Sequence, residues 1–184
     1  MKDVPGINVE PVTAWLEANV TGARGPFLFE IIAGGHSNLT YRLVGSDGRA
    51  YVLRRPPLGH RLASAHDMSR EHRVIAGLQR SNVPVPTALG LCTDETVNDA
   101  PFYVMGFVDG VILRDAAIVE KVYDEPTRRR AGEQLVDVLA DLHAVDVDAI
   151  GLGDLARKDD PTTIGQTVTR VSTPGGKHDQ TTAN

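Results

Sequence analysis

Three short stretches of the chain hold side chains suited to chemistry on a charged ligand. The first is Glu71 in the run MSREHRVIAGL. At about 100° per residue its carboxylate falls between Val74, Ile75 and Leu78, in the middle of an apolar face. A carboxylate so placed needs a cation, because an unpaired buried charge costs several kcal/mol. The second stretch supplies one: Arg54 and Arg55 are consecutive in YVLRRPP, and consecutive strand residues point to opposite faces. Pairing of Glu71 with its helix neighbours Arg70 or Arg73 is the simpler alternative. The third stretch is Gly34-Gly35-His36-Ser37-Asn38. Two glycines let backbone N–H groups approach an anion closely, and Ser37 and Asn38 add side-chain donors. Glycine-rich hairpin turns that bind nothing are also common, so this loop alone decides little.

These residues must be positioned by the elements around them. Val12, Trp15, Leu16 and Val20 recur at helical spacing over residues 10 to 20, with Pro11 early enough to be tolerated. Residues 27 to 33 and 39 to 44 read as strands flanking the glycine loop, and Asp47-Gly48 turns the chain into a third strand, Ala50 to Arg55. Ser64-Ala65-His66-Asp67 has the form of a capping box and opens a helix running to about Arg80, before Asn82 and Pro84. Two further strands fit residues 87 to 92 and 102 to 108, joined by a hairpin loop TDETVNDAP. A long helix over residues 127 to 145 aligns Ala131, Leu135, Val138, Leu139, Leu142 and Val145 on one face, with Arg128 to Arg130 outside. The expected class is α+β, with a five-stranded antiparallel sheet.

Composition narrows the function classes. The 184 residues are 41% apolar and 23% charged, which suits a folded domain rather than a disordered or fibrous chain. A formal charge of −5 without a basic stripe gives no reason to expect nucleic acid. Cys92, the single cysteine, rules out an internal disulfide and reads as a small core residue. The first residues lack the apolar stretch of a signal peptide, and no run reaches the roughly 20 apolar residues of a membrane span, so a cytoplasmic setting is expected. From Arg157 onward the text changes. Residues 157 to 184 hold seven threonines and no aromatic residue, and read as a disordered polar tail following a domain that spans residues 1 to 156.

The order of the parts is itself informative: glycine-rich hairpin, strand with a cation, helix with an inward Glu, two more strands, a linker at Gly106 to Gly110, then a long helix. That is the order of the N-terminal lobe of the protein-kinase-like fold, followed by the first helix of the C-terminal lobe. The stretches GGHSNLTYRL, YVLRRPP, SAHDMSREHRVIAGL, NVPVPTALGLC and PFYVMGFVDG resemble the aminoglycoside phosphotransferase family over residues 8 to about 156. They are most similar to a bacterial branch akin to the kinase-like portion of some acyl-CoA dehydrogenase family proteins.

The resemblance implies ATP-dependent transfer of a phosphoryl group to a hydroxyl of a small molecule, with Mg²⁺ in the parent family. It assigns Gly34, Gly35, Ser37 and Asn38 to the phosphate-covering loop, Arg54 to the α- and β-phosphates, and Glu71 to holding that cation. Val52 would roof the adenine, and Met105, Gly106, Phe107 and Val108 would form the hinge that reads its edge. Most kinases have lysine where Arg54 stands, and Arg55 is its rival for the role.

The family's His-Gly-Asp catalytic loop and metal-binding Asp have no match here, so neither a catalytic residue nor a magnesium ligand is assigned. His178-Asp179 with Asn184 imitates part of that loop but lacks the glycine and the flanking apolar strands. His36, His143, Asp109 and Asp115 are expected to solvate, pack or cap. The expectation is therefore the nucleotide-binding portion of a phosphotransferase, cut short before its catalytic loop by a shifted frame, an early stop or a partial gene. Two other readings stand beside it. One is a non-catalytic nucleotide-binding or interaction module that needs a partner or self-associates through exposed lobe surface; the other is an unrelated α+β domain that mimics the lobe.

Overall fold

The structure is a computed structural model, and it describes residues 4–33, 38–59, 67–111 and 116–155. Apart from Asp154 and Leu155, these residues fall in one compact unit that ends at Gly153. The expectations for Gly34, Gly35, His36 and Ser37, for Ser64 to His66, for Asp115 and for the tail from residue 157 lie outside the described residues.

Helix α1 (Val9–Asn19) leads into three consecutive strands, β1 (Leu28–Ala33), β2 (Leu39–Val44) and β3 (Ala50–Arg55). Helix α2 (Met68–Leu78) follows, then β4 (Ala88–Cys92), a single helical turn α3 (Glu95–Asn98), β5 (Phe102–Gly106), α4 (Ala116–Val122) and α5 (Glu125–His143). The five strands form one antiparallel sheet in the order β1-β2-β3-β5-β4. Gly48, with φ of +80°, makes the β2–β3 turn at a backbone conformation that glycine adopts without strain.

The register assigns each strand residue to a face. Tyr41, Leu53 and Val104 lie side by side across β2, β3 and β5 and are all buried. They pack with Val12, Leu16 and Val20 from α1 and its C-terminal end, and with Phe27, Phe29, Leu43 and Phe102, into the core. Trp15 meets Phe102 edge-on with ring centroids 5.0 Å apart, a favoured aromatic arrangement. One sheet face is thereby committed to apolar packing. The next residues along each strand must face the other way. That opposite face aligns Arg42, Val52 and Met105 in one row, and Thr40, Arg54 and Tyr103 in the next.

Some details differ from expectation. Helix α2 begins at Met68, and Asp67 is its cap, accepting a hydrogen bond from the Arg70 N–H at 2.9 Å. The expected hairpin loop contains α3, capped by Asp94, whose carboxylate accepts from Thr96. Strand β5 ends at Gly106, two residues short of the expected 108. The long helix forms, but none of its residues is buried, and Leu135, Val136, Leu139 and Leu142 on it are exposed. Helix α4 had no periodic signal in the sequence. Cys92 is a buried free thiol, as expected.

Candidate functional site

The polar row on the open sheet face converges on one carboxylate. Glu71 sits in the first turn of α2, close enough to the helix N-terminus for its charge to be favoured there. Its Oε2 accepts from Arg54 Nε at 2.9 Å and from the Tyr103 hydroxyl at 3.1 Å. Its Oε1 accepts from Asn38 Nδ2 at 2.6 Å. Arg54 Nη1 in turn donates to Thr40 Oγ1 at 3.1 Å. The guanidinium is therefore held along two of its edges, and its third nitrogen, Nη2, has no acceptor among the described residues.

Arg54 and Glu71 are each about one-third exposed, with side-chain accessibilities of 31% and 33%, so the pair borders solvent instead of being sealed in the core. They line a cavity of about 390 Å³ together with Arg70, Val74, Ile75, Tyr103 and Met105. The Arg54 guanidinium lies against that carboxylate, and three apolar side chains, Val74, Ile75 and Met105, suit the uncharged part of a ligand. Tyr103 stays a proton donor over the whole working range. Burial pushes its hydroxyl far above the ordinary value, and the neighbouring Glu71 charge adds to the effect. His72 meets the Tyr103 ring edge-on at 6.1 Å, and burial lowers its pKa.

The register puts the two arginines on opposite faces of the sheet. Arg55 points to the opposite face, where it is 3% exposed, and donates to the carbonyls of Gly6, Pro56 and Asn98. It ties the N-terminal segment and the α3 turn to the sheet. Among the expected hinge residues, the Met105 side chain lines the cavity, while the Gly106 N–H already donates to the Thr87 carbonyl at 2.8 Å. Phe107 lies beneath the Arg42 guanidinium, 5.0 Å from ring centre to Cζ, and Val108 is exposed. Val52 is buried next to Arg42 and Met105 in its row.

Sequence reasoning missed Tyr103 and Thr40. Tyr103 and Met105 share one face of β5, and only the pairing of β5 with β3 brings that face against Arg54. Among the described residues no group of three or more His, Cys, Asp or Glu side chains could hold a metal ion. None of the described helices is long and apolar enough to cross a membrane.

Comparisons with known proteins agree with this fold. The family model of the phosphotransferase enzyme family (APH) matches residues 29–178. A solved structure of a candidate aminoglycoside phosphotransferase from Ralstonia eutropha JMP134 superposes with a TM-score of 0.69 at 32% identity, covering 89% of this chain and 46% of that one. Acyl-CoA dehydrogenase family member 10 of Mus musculus is 37% identical over 141 residues, 76% of this chain and 13% of that protein. A probable acyl-CoA dehydrogenase of Arabidopsis thaliana is 39% identical over 148 residues, 76% of this chain and 18% of that protein. The chain thus spans under half of the solved relative and less than a fifth of these curated ones.

Proposed function

The chain belongs to the phosphotransferase enzyme family, and from that premise we propose that it is the nucleotide-binding portion of an ATP-dependent enzyme that phosphorylates a hydroxyl of a small molecule. The observation that carries this reading is Arg54, clamped by Glu71 and Thr40 at the edge of an apolar-walled cavity with one guanidinium nitrogen to spare. A guanidinium held by its Nε and Nη1 edges is pre-oriented, so less side-chain entropy is lost when Nη2 meets a phosphate oxygen. Met105, with Val74 and Ile75, offers the base an apolar surface, and Val52 lies buried beside Met105 in the sheet. Because the Gly106 N–H is taken by Thr87, reading of the adenine edge falls to the backbone of Phe107 and Val108.

The test is an ATP titration of the purified chain beside Arg54→Ala and Glu71→Ala. Weaker binding in both variants supports the reading, and equal affinity in all three overturns it. Incubation with labelled ATP and hydroxyl compounds should give no phosphoryl transfer by this chain alone. A second reading, a module that self-associates, draws on α5, where Leu135, Val136, Leu139 and Leu142 are exposed on a helix with no buried residue. Light scattering after size exclusion distinguishes them: a monomer at micromolar concentration argues against the module.

A further inference from the structure

The Arg54–Glu71 pair alone is a weak device for aiming a cation. Ion pairs with this much exposure contribute too little to hold two long side chains in a single geometry. What distinguishes this pair is that Glu71 is itself immobilised. Both of its oxygens receive neutral donors, Asn38 Nδ2 on Oε1 and the Tyr103 hydroxyl on Oε2. Tyr103 is 3% exposed, stands cross-strand from Arg54 on β5, and has its ring against His72, so its hydroxyl has little freedom to move. It is a rigid donor anchored in the sheet, aimed at the oxygen that Arg54 Nε also uses.

We propose that Tyr103 is a positioning residue: by fixing Glu71 Oε2 it sets the plane of the Arg54 guanidinium, and so governs recognition of the charged part of a nucleotide without touching it. This rests on the nucleotide-binding reading above. The chemistry that follows is specific. Loss of the hydroxyl lets the carboxylate rotate about its last torsion and lets Arg54 follow it. The cost then falls on phosphate contacts and spares the base.

The experiment compares ATP, ADP and adenosine binding, by NMR titration of the full chain, in wild type, Tyr103→Phe, Arg54→Met and the double variant. Phenylalanine keeps the ring and its packing, and Tyr103→Met, which also lacks the hydroxyl, repeats the measurement should the first variant not fold. The expected result is a weakening of ATP and ADP by about fivefold to tenfold with adenosine unchanged, and no further loss on adding Tyr103→Phe to Arg54→Met. The Arg54 Nε–H resonance of the nucleotide-free chain should also shift and exchange faster with water in Tyr103→Phe. Equal weakening of adenosine, or full additivity with Arg54→Met, overturns the positioning role. Wild-type ATP binding with an unaltered Tyr103→Phe overturns it too and leaves the nucleotide reading intact, whereas a wild type that binds no ATP overturns both.

Discussion

Arg54 and Arg55 are neighbours in sequence with opposite duties, and replacing each by methionine separates those duties in a single pair of measurements. Arg55 is 3% exposed and donates to three backbone carbonyls. Methionine fills similar space but leaves those acceptors without the cation. Each orphaned buried group costs about 1–3 kcal/mol, and relief from desolvating the guanidinium offsets part of the sum. A net loss of about 3 kcal/mol follows, and at roughly 2–4 °C per kcal/mol for a domain of this size the melting temperature should fall by about 6–12 °C. Arg54 lies on the solvent side of the sheet at 31% side-chain exposure, so its pair with Glu71 is discounted for screening to below about 1 kcal/mol. Its loss should lower the melting temperature by no more than roughly 2–4 °C. Ligand binding inverts the ranking. Arg54→Met should weaken ATP by about tenfold or more, the effect of losing one charge-assisted contact, while the folded fraction of Arg55→Met should keep near wild-type affinity. The assay is thermal unfolding by circular dichroism, followed by ATP titration at a temperature where both variants are folded. If Arg55→Met melts like wild type, or if it rather than Arg54→Met loses ATP, the face assignment on which the site rests is wrong.

Three further outcomes are expected. The Tyr103 hydroxyl ionises far less readily in the folded chain than in the unfolded one, so the unfolded state alone sheds a proton as pH rises past 10. Stability should therefore fall above pH 10, and unfolding midpoints for Tyr103→Phe should show a shallower alkaline decline; an unchanged decline would sink this. His72 has a folded pKa below its ordinary 6.5, so the unfolded chain takes up the proton first as pH falls. Stability present above pH 6.5 should be lost progressively below it, and His72→Phe should flatten melting temperature against pH between 7.5 and 5. A methyl group added at Gly45 would sit 2.8 Å from the Arg24 carbonyl oxygen and 3.2 Å from the Phe27 ring, so Gly45→Ala should destabilise the chain by about 1–3 kcal/mol in urea unfolding.

What the sequence disclosed and what it withheld divide along one physical line. Local signals were readable: the apolar spacing of Val12, Leu16 and Val20, the Asp47-Gly48 turn, the strand of Ala50 to Arg55, and the inward placement of Glu71. Each depends on residues within a few positions of one another. That Arg54 and Arg55 oppose each other was equally legible, but which of them faces the core depends on where α1 packs, and that is a long-range fact. Tyr103 was invisible for the same reason. Its meeting with Glu71 needs β5 inserted between β3 and β4, a crossover that alternation within β5 cannot announce. The single turn α3 fell below the length at which periodicity speaks. Helix α5 formed where the periodicity put it, with its apolar face exposed. Its apolar spacing was real, yet spacing says only that a face wants cover, not that the described residues provide it.

The arginine at position 54, a departure from the usual lysine, makes sense once its partners are known. A lysine ammonium is one nitrogen on a flexible stem, and whatever holds it competes directly with whatever it must bind. A guanidinium has separate edges. Here Nε goes to the carboxylate on α2 and Nη1 to a hydroxyl on β2, so the strand, its neighbour and the helix all fix the same plane without using Nη2. That arrangement demands more of its surroundings than a lysine would, because a plane must be oriented where a point charge need only be near. Thr40, Tyr103 and Asn38 meet that demand, as their hydrogen bonds to Arg54 and Glu71 fix both the acceptor and its angle. The polar row on the open sheet face is thus best understood as the support of one side chain, and its polarity is tolerable because α1 covers the opposite face with the apolar core.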